Sequence, residues 1–329
     1  NRDLKKHPSI NPGMKNVLFF DPNLNERGTS IATYDYALYN ETLLGNKSTI
    51  VSLKQGSLES LSKFNSRFET TLVNNIQEIQ QIPCDYYYTL KYGHNDGNLH
   101  RQAKNLVHTV FPAFDPHGDV YAYVSKWLAE SHGNGHPYVS HMINLPEVEE
   151  DYKPFFNIAD DQLVIGWYGG NNFEIPFARQ AVINIANTRR DIIFLFMNQT
   201  PFCDLKNVIF VNGTTDQEEK VAFINTCDVM IHARERGETF GLAIAEFSSK
   251  NKPVITYLNS PERSHIELLG SKGLYYDDYN SLYNLLSSLK KDNFKEQDWN
   301  CYREFTPEKV VEQFNNVFLN ENIIRNRPY

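Results

Sequence analysis

Arg236-Gly-Glu-Thr-Phe-Gly-Leu-Ala-Ile-Ala-Glu246 carries two carboxylates, Glu238 and Glu246, eight positions apart around a turn punctuated by glycine. Before it, Cys227-Asp-Val-Met-Ile-His232 reads as a short buried strand, and after it Lys252-Pro-Val-Ile-Thr-Tyr257 reads as the next. A strand, a turn that opens a helix and another strand make a parallel α/β unit, in which ligands sit at the carboxyl ends of the strands. Eight residues of α-helix span about 12 Å and turn the second side chain roughly 80° from the first. Glu238 is therefore expected at the helix mouth, with Glu246 two turns deeper on a neighbouring face. Unpaired N–H groups at a helix start attract phosphate, helped by the helix dipole. Gly241, without a Cβ, lets a phosphate approach the backbone. A diphosphate there would set a sugar near one glutamate and a ribose near the other, which suits a nucleotide-sugar.

The stretch resembles the E-x7-E signature of retaining glycosyltransferases of the GT-B fold, especially family 4. Asp216-Gln-Glu-Glu-Lys-Val-Ala-Phe-Ile-Asn-Thr-Cys-Asp-Val-Met-Ile leads into it with that family's polar helix, strand and acidic loop in order. Ser264-His-Ile-Glu-Leu-Leu-Gly-Ser-Lys-Gly-Leu-Tyr-Tyr276 leads out, where the family has a segment touching the donor and then a short strand. The resemblance covers nearly all of the C-terminal half and is only architectural over the N-terminal half.

At 329 residues the chain has room for two domains of ordinary size, each with its own core. Its 41% hydrophobic and 22% charged residues are those of a soluble globular protein, and no run approaches the roughly 18 apolar residues of a membrane span. No signal peptide is visible, although a chain that starts at Asn1 rather than Met is compatible with a piece of something longer. A net charge of -8 disfavours a nucleic-acid backbone as partner. Cys84, Cys203, Cys227 and Cys301 lack metal-type spacing and read as reduced thiols in the cytoplasm. Four Asn-x-Ser/Thr sequons, from Asn40, Asn46, Asn198 and Asn212, are expected by chance in so Asn- and Ser-rich a chain.

Outward from the quoted stretch, buried strands alternate with helical patterns, which argues for parallel sheets. In the N-terminal half the strand candidates are Met14–Asp21, Ser48–Leu53, Asp85–Leu90, Asn105–Val110 and Val120–Ser125, with a helix over Ile31–Tyr39. Asn144-Leu-Pro-Glu-Val-Glu-Glu-Asp-Tyr-Lys-Pro154, acidic and bracketed by prolines, reads as a linker. A second series follows with Asp161–Tyr168, Asp191–Met197, Asn207–Val211 and Pro253–Thr256, and a helix over Thr306–Leu319 closes the chain. The expected architecture is α/β, a GT-B fold of two Rossmann-like domains with parallel sheets facing an interdomain cleft. Its divisions are an acceptor-side domain over 1–145, a linker over 146–160, a nucleotide-sugar domain over 161–300 and a C-terminal helix over 301–329 packing back on the first domain.

Gly166-Trp-Tyr-Gly-Gly-Asn-Asn172 ends the first strand of the second series, and Phe177-Ala-Arg-Gln-Ala181 starts the following helix. There the family offers an Arg after the glycine and a Lys at the helix start, both on the donor diphosphate. Here Asn171 or Asn172 stands in place of the Arg, and Arg179 is the cation nearest the Lys position. Arg179 can pair bidentately with phosphate. Gly169 and Gly170 would admit the donor close to the backbone, or simply make a tight turn. Arg236 and Arg234, just before Glu238, would add phosphate charge, bind an anionic acceptor, or lie in solvent. Arg263 and His265 fall in the stretch resembling the donor-contact segment. Gly28-Thr29-Ser30 resembles the glycine-rich loop over the donor diphosphate, with Arg27-Gly28 where the family often has two glycines. The family's histidine after a mid-domain Thr would fall at Phe111, leaving His108, His94 and His117 as alternatives. There is no Asp-x-Asp, and the glycines of His132-Gly-Asn-Gly-His136 argue against a helical zinc pair.

The resemblance implies a retaining, metal-independent glycosyltransferase without a cofactor, with a UDP-sugar as default donor. In that reading Glu238 and Arg179 are catalytic, and Glu246, Thr239, Phe240, Gly241, Leu242, Gly169, Gly170, Gly28, Thr29, Arg236 and Arg263 bind the donor. The acceptor is a hydroxyl of a glycan, lipid or protein, with room for a peripheral membrane contact, and the oligomeric state is open. A nucleotide-sugar epimerase on the same fold and a non-catalytic binding module are the competing readings.

Overall fold

The computed structural model describes residues 13–25, 27–54 and 56–320. In chain order the N-terminal half runs β1 (Asn16–Asp21), α1 (Gly28–Thr42), β2 (Lys47–Leu53), α2 (Leu58–Arg67), β3 (Glu69–Val73), β4 (Tyr86–Lys91), β5 (Lys104–Thr109), β6 (Val120–Tyr123) and α3 (Lys126–His132). The C-terminal half continues with α4 (Lys153–Phe156), β7 (Leu163–Tyr168), α5 (Pro176–Thr188), β8 (Ile192–Met197), β9 (Val208–Val211), α6 (Gln217–Thr226), β10 (Val229–Ile231), β11 (Gly237–Glu238), α7 (Leu242–Ser249) and β12 (Val254–Tyr257). It ends with β13 (Glu262–Arg263), α8 (Ser264–Leu269), β14 (Leu274–Tyr276), α9 (Tyr279–Ser288) and α10 (Pro307–Phe314).

The strands form two parallel six-stranded sheets, ordered β3-β2-β1-β4-β5-β6 and β9-β8-β7-β10-β12-β14. Both have the doubly wound order, in which the direction of winding reverses beside the first strand. The reversal points lie between β1 and β4 and between β7 and β10. Helices on both faces explain why β7 (LVIGWY) and β8 (IIFLFM) are buried at every position. The fold is α/β, as expected from the alternation of strands and helices.

Some elements differ from the sequence expectation. β3, Glu-Thr-Thr-Leu-Val, is a sheet-edge strand whose polar, half-exposed pattern hides it. Ser125 does not extend β6, because its side chain accepts from Leu128 N–H and caps α3. The segment read as a linker contains the single turn α4, closed by Asn157 in the left-handed region. Among the described residues no helix is long and apolar enough to cross a membrane.

α10 begins with Thr306 capping Lys309 N–H and Pro307 in the first turn. It lies against the first sheet, where Phe314 stacks on Tyr36 and Phe19 at 5.2 and 6.3 Å between ring centres and meets Tyr88 at 5.8 Å. Just beyond it, the carbonyl of Leu319 accepts from Lys15 Nζ at 2.8 Å.

His108, a candidate contact in the cleft, belongs to this core instead. It is fully buried in β5, with Nδ1 on the Tyr88 hydroxyl at 2.7 Å and Nε2–H donating to Val139 O at 2.8 Å. Burial lowers its pKa from 6.5 to about 4.

Phe314→Ala should destabilise the protein by about 3–5 kcal/mol, the usual cost of emptying an aromatic core site, read by denaturant unfolding. His108 titrates lower when folded than unfolded, so its contribution to stability is complete above about pH 6.5 and is lost as pH falls toward 4. His108→Asn should flatten the fall in stability across that window while lowering stability at pH 7. An unchanged slope would place the acid sensitivity elsewhere.

Candidate functional site

Because all twelve strands of the two sheets are parallel within their sheet, the loops that follow them gather at one edge of each. The two edges enclose a cavity of about 620 Å³, within the range of small-molecule sites. The first sheet contributes Asp21 at the end of β1, the Gly28–Thr29 turn opening α1, Lys91 at the end of β4 with Tyr92 after it, Phe111 after β5, and His141. The second contributes Gly169 to Asn172 after β7, Asn198 after β8, Lys220 from α6, His232 and Arg234 after β10, and the run Glu238 to Ala243 with Glu246. Both winding reversals therefore open into the same space.

The two glutamates are not carried on one continuous helix. Gly241, at φ 87° and ψ 62°, is in the left-handed region and starts α7, while Glu238 belongs to β11 before it. This corrects the expectation of a purely helical relation, because a left-handed residue interrupts the helical path. β11 pairs in parallel with β13, Gly237 with Glu262 and Glu238 with Arg263, which fixes the strand end on which Glu238 stands. A Cβ on Gly237 (φ 83°) would meet Glu262 O at 2.0 Å, so only glycine fits this ladder. No side chain caps the first turn of α7, and Thr239 to Ala243 line the cavity around it.

Glu238 is held from two sides. His232 Nε2 lies 3.0 Å from Oε1, and Arg234 donates to Oε2 at 3.0 Å. Burial alone would raise its pKa, but the His232 hydrogen bond and the charge of Arg234 outweigh it and hold the carboxyl at about 2. His232 is buried, and its Nδ1 lies 2.9 Å from the Thr256 hydroxyl. His265 is fully buried with its ring 5.4 Å from that of His232; burial lowers its pKa to about 3.

Glu246 faces Lys220, whose Nζ lies 3.3 and 3.4 Å from its two oxygens, and both side chains are about 5% exposed. Lys220 lies over the Tyr168 ring at 5.4 Å. Lys220 was not among the sequence candidates. Its signal is a lysine at i with Phe223 and Ile224 at i+3 and i+4, a cation on the apolar face of α6.

Arg179 is a correction. Its Nε donates to Phe173 O at 2.8 Å and its guanidinium lies over Phe202 at 5.4 Å, so it does not line the cavity. Arg263 is likewise turned away, donating to the carbonyls of Leu258 and Ser260. Arg236 also lies outside the lining. It bonds Glu262 at 2.5 Å and lies 4.9 Å over Phe111, whose ring packs on Tyr92 at 4.8 Å, tying the two halves together at one lip. At another point Thr215 donates to Glu59 across the halves. Among the histidine alternatives, His94 stacks on Tyr92 and His117 donates to Asp115 O, both off the cavity.

His141, which sequence reading passed over, does line the cavity. It is buried, its Nδ1 lies 3.0 Å from the Tyr36 hydroxyl, and burial lowers its pKa to about 3. Asp21, from the same half, is also buried. Desolvation raises its pKa against the hydrogen bonds from Ser30 and Asn23 N–H. The cavity thus has a firmly ionised carboxylate at Glu238, an ion pair at Glu246 and polar but uncharged imidazole at its first-sheet wall.

The sequence profile of the family described as Glycosyl transferases group 1 matches residues 197–304. A search of curated proteins finds no match. Among solved structures, Anabaena Alr3699/HepE in complex with UDP and glucose superposes with a TM-score of 0.70 at 12% identity, over 93% of this chain and 100% of that one. A glycosyltransferase from Rickettsia africae ESF-5 gives 0.66 at 12% identity, over 95% and 100%. A UDP-N-acetylglucosamine 2-epimerase gives 0.59 at 10% identity, over 96% and 99%. The chain has the GT-B fold, and the segment that bears Glu238 and Glu246 is similar in sequence to the group 1 glycosyl transferases.

Proposed function

We propose that the protein is a retaining, metal-independent glycosyltransferase that moves a sugar from a nucleoside-diphosphate-sugar to a hydroxyl acceptor. One observation carries the reading: Glu238 and Glu246 line a single cavity on either side of the uncapped start of α7, where both winding reversals meet. The diphosphate lies at the first turn of α7, where free N–H groups and the helix dipole favour an anion. Glu246 takes the ribose hydroxyls. Glu238 faces the transferred sugar, and its fixed negative charge stabilises the oxocarbenium-like transition state.

Arg179 was the expected counter-charge, but it is turned from the cavity. Arg234 and Lys220 take that role, since both line the cavity and each already bonds one of the two glutamates. During transfer the bond from the anomeric carbon to the phosphate oxygen breaks and a bond to the acceptor oxygen forms. The acceptor's proton passes to the leaving phosphate, so no separate base is needed. The group 1 profile match favours transfer over epimerisation. A UDP-sugar is the first donor to test, because Alr3699/HepE is crystallised with UDP-glucose. We assign the cytoplasm as the site of action, a reducing setting suited to four cysteines that the fold leaves unpaired.

A thermal-shift screen of UDP-, GDP-, ADP- and TDP-sugars on wild type and Glu246→Ala tests the donor site. A donor that binds only the native state at 100 times its dissociation constant stabilises by about 2.7 kcal/mol. One nucleotide should shift the wild type but not Glu246→Ala, while Arg179→Ala should respond like wild type. If no donor shifts any of the three, the donor-site reading is wrong. Interconversion of the donor without acceptor would indicate an epimerase, and tight binding without turnover a binding module.

Lys220→Met should destabilise by about 3–5 kcal/mol, because it leaves Glu246 charged and buried without its partner. Lys220→Met combined with Glu246→Leu should recover much of that loss in denaturant unfolding.

A further inference from the structure

The carboxylate of Glu238 has a second support that the proposed chemistry does not itself use. Its Oε1 meets His232 Nε2 at 3.0 Å, and the other ring nitrogen of His232 meets the Thr256 hydroxyl at 2.9 Å. His232 stands at the end of β10 and Thr256 on β12, and the backbone joins them too, through His232 N–H to Ile255 O at 2.8 Å. Histidine and threonine are both buried, so their mutual orientation is set by the sheet rather than by solvent. The Tyr276 hydroxyl donates to His232 O at 2.7 Å, anchoring the same residue from the next strand.

The neighbours also fix the protons. A threonine hydroxyl donating to Nδ1 leaves Nε2–H to donate to Glu238. Arg234 already brings a full positive charge to Oε2, and the His265 ring lies 5.4 Å from His232. A hydrogen bond aimed by a sheet orients a carboxylate more tightly than an arginine that is itself partly exposed.

We propose that His232 is a positioning residue for Glu238: the Thr256–His232–Glu238 chain sets the angle at which the carboxylate faces the transferred sugar. The inference rests on the donor reading above, in which Glu238 meets the sugar and Glu246 the nucleoside. It implies a division of labour. Loss of His232 disturbs the sugar's reaction and leaves recognition of the nucleoside diphosphate intact, because the side-chain hydrogen bonds of His232 go to Glu238 and Thr256, not to Lys220, Glu246 or the first turn of α7.

The test compares wild type with His232→Ala, His232→Gln, His232→Asn and Thr256→Val. Three quantities are read: the dissociation constant of the nucleoside diphosphate alone by calorimetry, and kcat and KM for transfer or donor hydrolysis with the sugar nucleotide. His232→Ala should lower kcat about 10- to 100-fold, the scale of one hydrogen bond to a charged group, with the diphosphate constant within twofold of wild type. His232→Gln, whose amide N–H reaches the place of Nε2–H, should regain most of the rate. His232→Asn, whose amide reaches only the place of Nδ1, should not. Thr256→Val should fall between wild type and His232→Ala.

The proposal is overturned if His232→Ala keeps kcat within twofold of wild type. It is equally overturned if His232→Gln is no faster than His232→Ala at matched thermal stability, or if His232→Ala weakens the nucleoside diphosphate as much as it slows transfer. Should His232→Ala fail to fold, His232→Gln against His232→Asn and Thr256→Val decide by the same ordering of rates. Failure of the donor reading itself is seen separately, in wild type that binds no nucleoside diphosphate.

Discussion

Parallel pairing is the constraint from which the rest of this molecule follows. A strand that must lie parallel to its predecessor forces the chain back along the sheet face, and that return buries both faces of the sheet. It also sends every loop that follows a strand to the same edge. With two sheets of the same winding order, two such edges come to face one another, and the cavity is the space between them. The residues with chemistry to offer are therefore drawn from segments far apart in sequence, from Asp21 to Glu246.

Within that space the polar groups divide by what surrounds them. Glu238 is drawn toward the charged form by Arg234 and His232 in spite of its burial, whereas His141 and Asp21 on the opposite wall are governed by desolvation. A sugar held between them would meet a fixed anion on one side and an environment averse to charge on the other. Water entering the cavity would weaken that contrast by raising the local dielectric. The Arg236–Phe111 contact and the Thr215–Glu59 hydrogen bond, which join the two halves, accordingly bear on the electrostatics as well as on the shape.

Much of the architecture was legible because it rests on local pattern. Runs such as Leu163–Tyr168 and Ile192–Met197 are apolar throughout, and no reading but a buried strand suits them. The fold class follows from their alternation with helices. The Glu238–Glu246 stretch was visible for a related reason, since glycines between two apolar runs mark a turn at a strand end. What escaped was decided at a distance. β3 is polar and becomes a strand only because β2 offers it an edge. Lys220 reaches Glu246 across 26 positions, and the partners of His232 and His141 come from other strands and helices. Arg179 had the right charge near the right turn, but the Phe173 carbonyl and the Phe202 ring lie closer to hand. Sequence spacing locates a side chain's root; its direction depends on neighbours that spacing does not name.

The return of α10 to the first sheet bears on how the molecule is made. Phe314 fills a place among Phe19, Tyr36 and Tyr88 that stays empty until synthesis has passed every strand of the second sheet. Residues from Leu163 to Tyr276, by contrast, contain every strand of the second sheet and can close it as soon as they emerge. The usual order, in which the first-made unit folds first, is thereby opposed. The half synthesised earlier waits with an aromatic face uncovered until α10, made after every strand of the second sheet, returns to it.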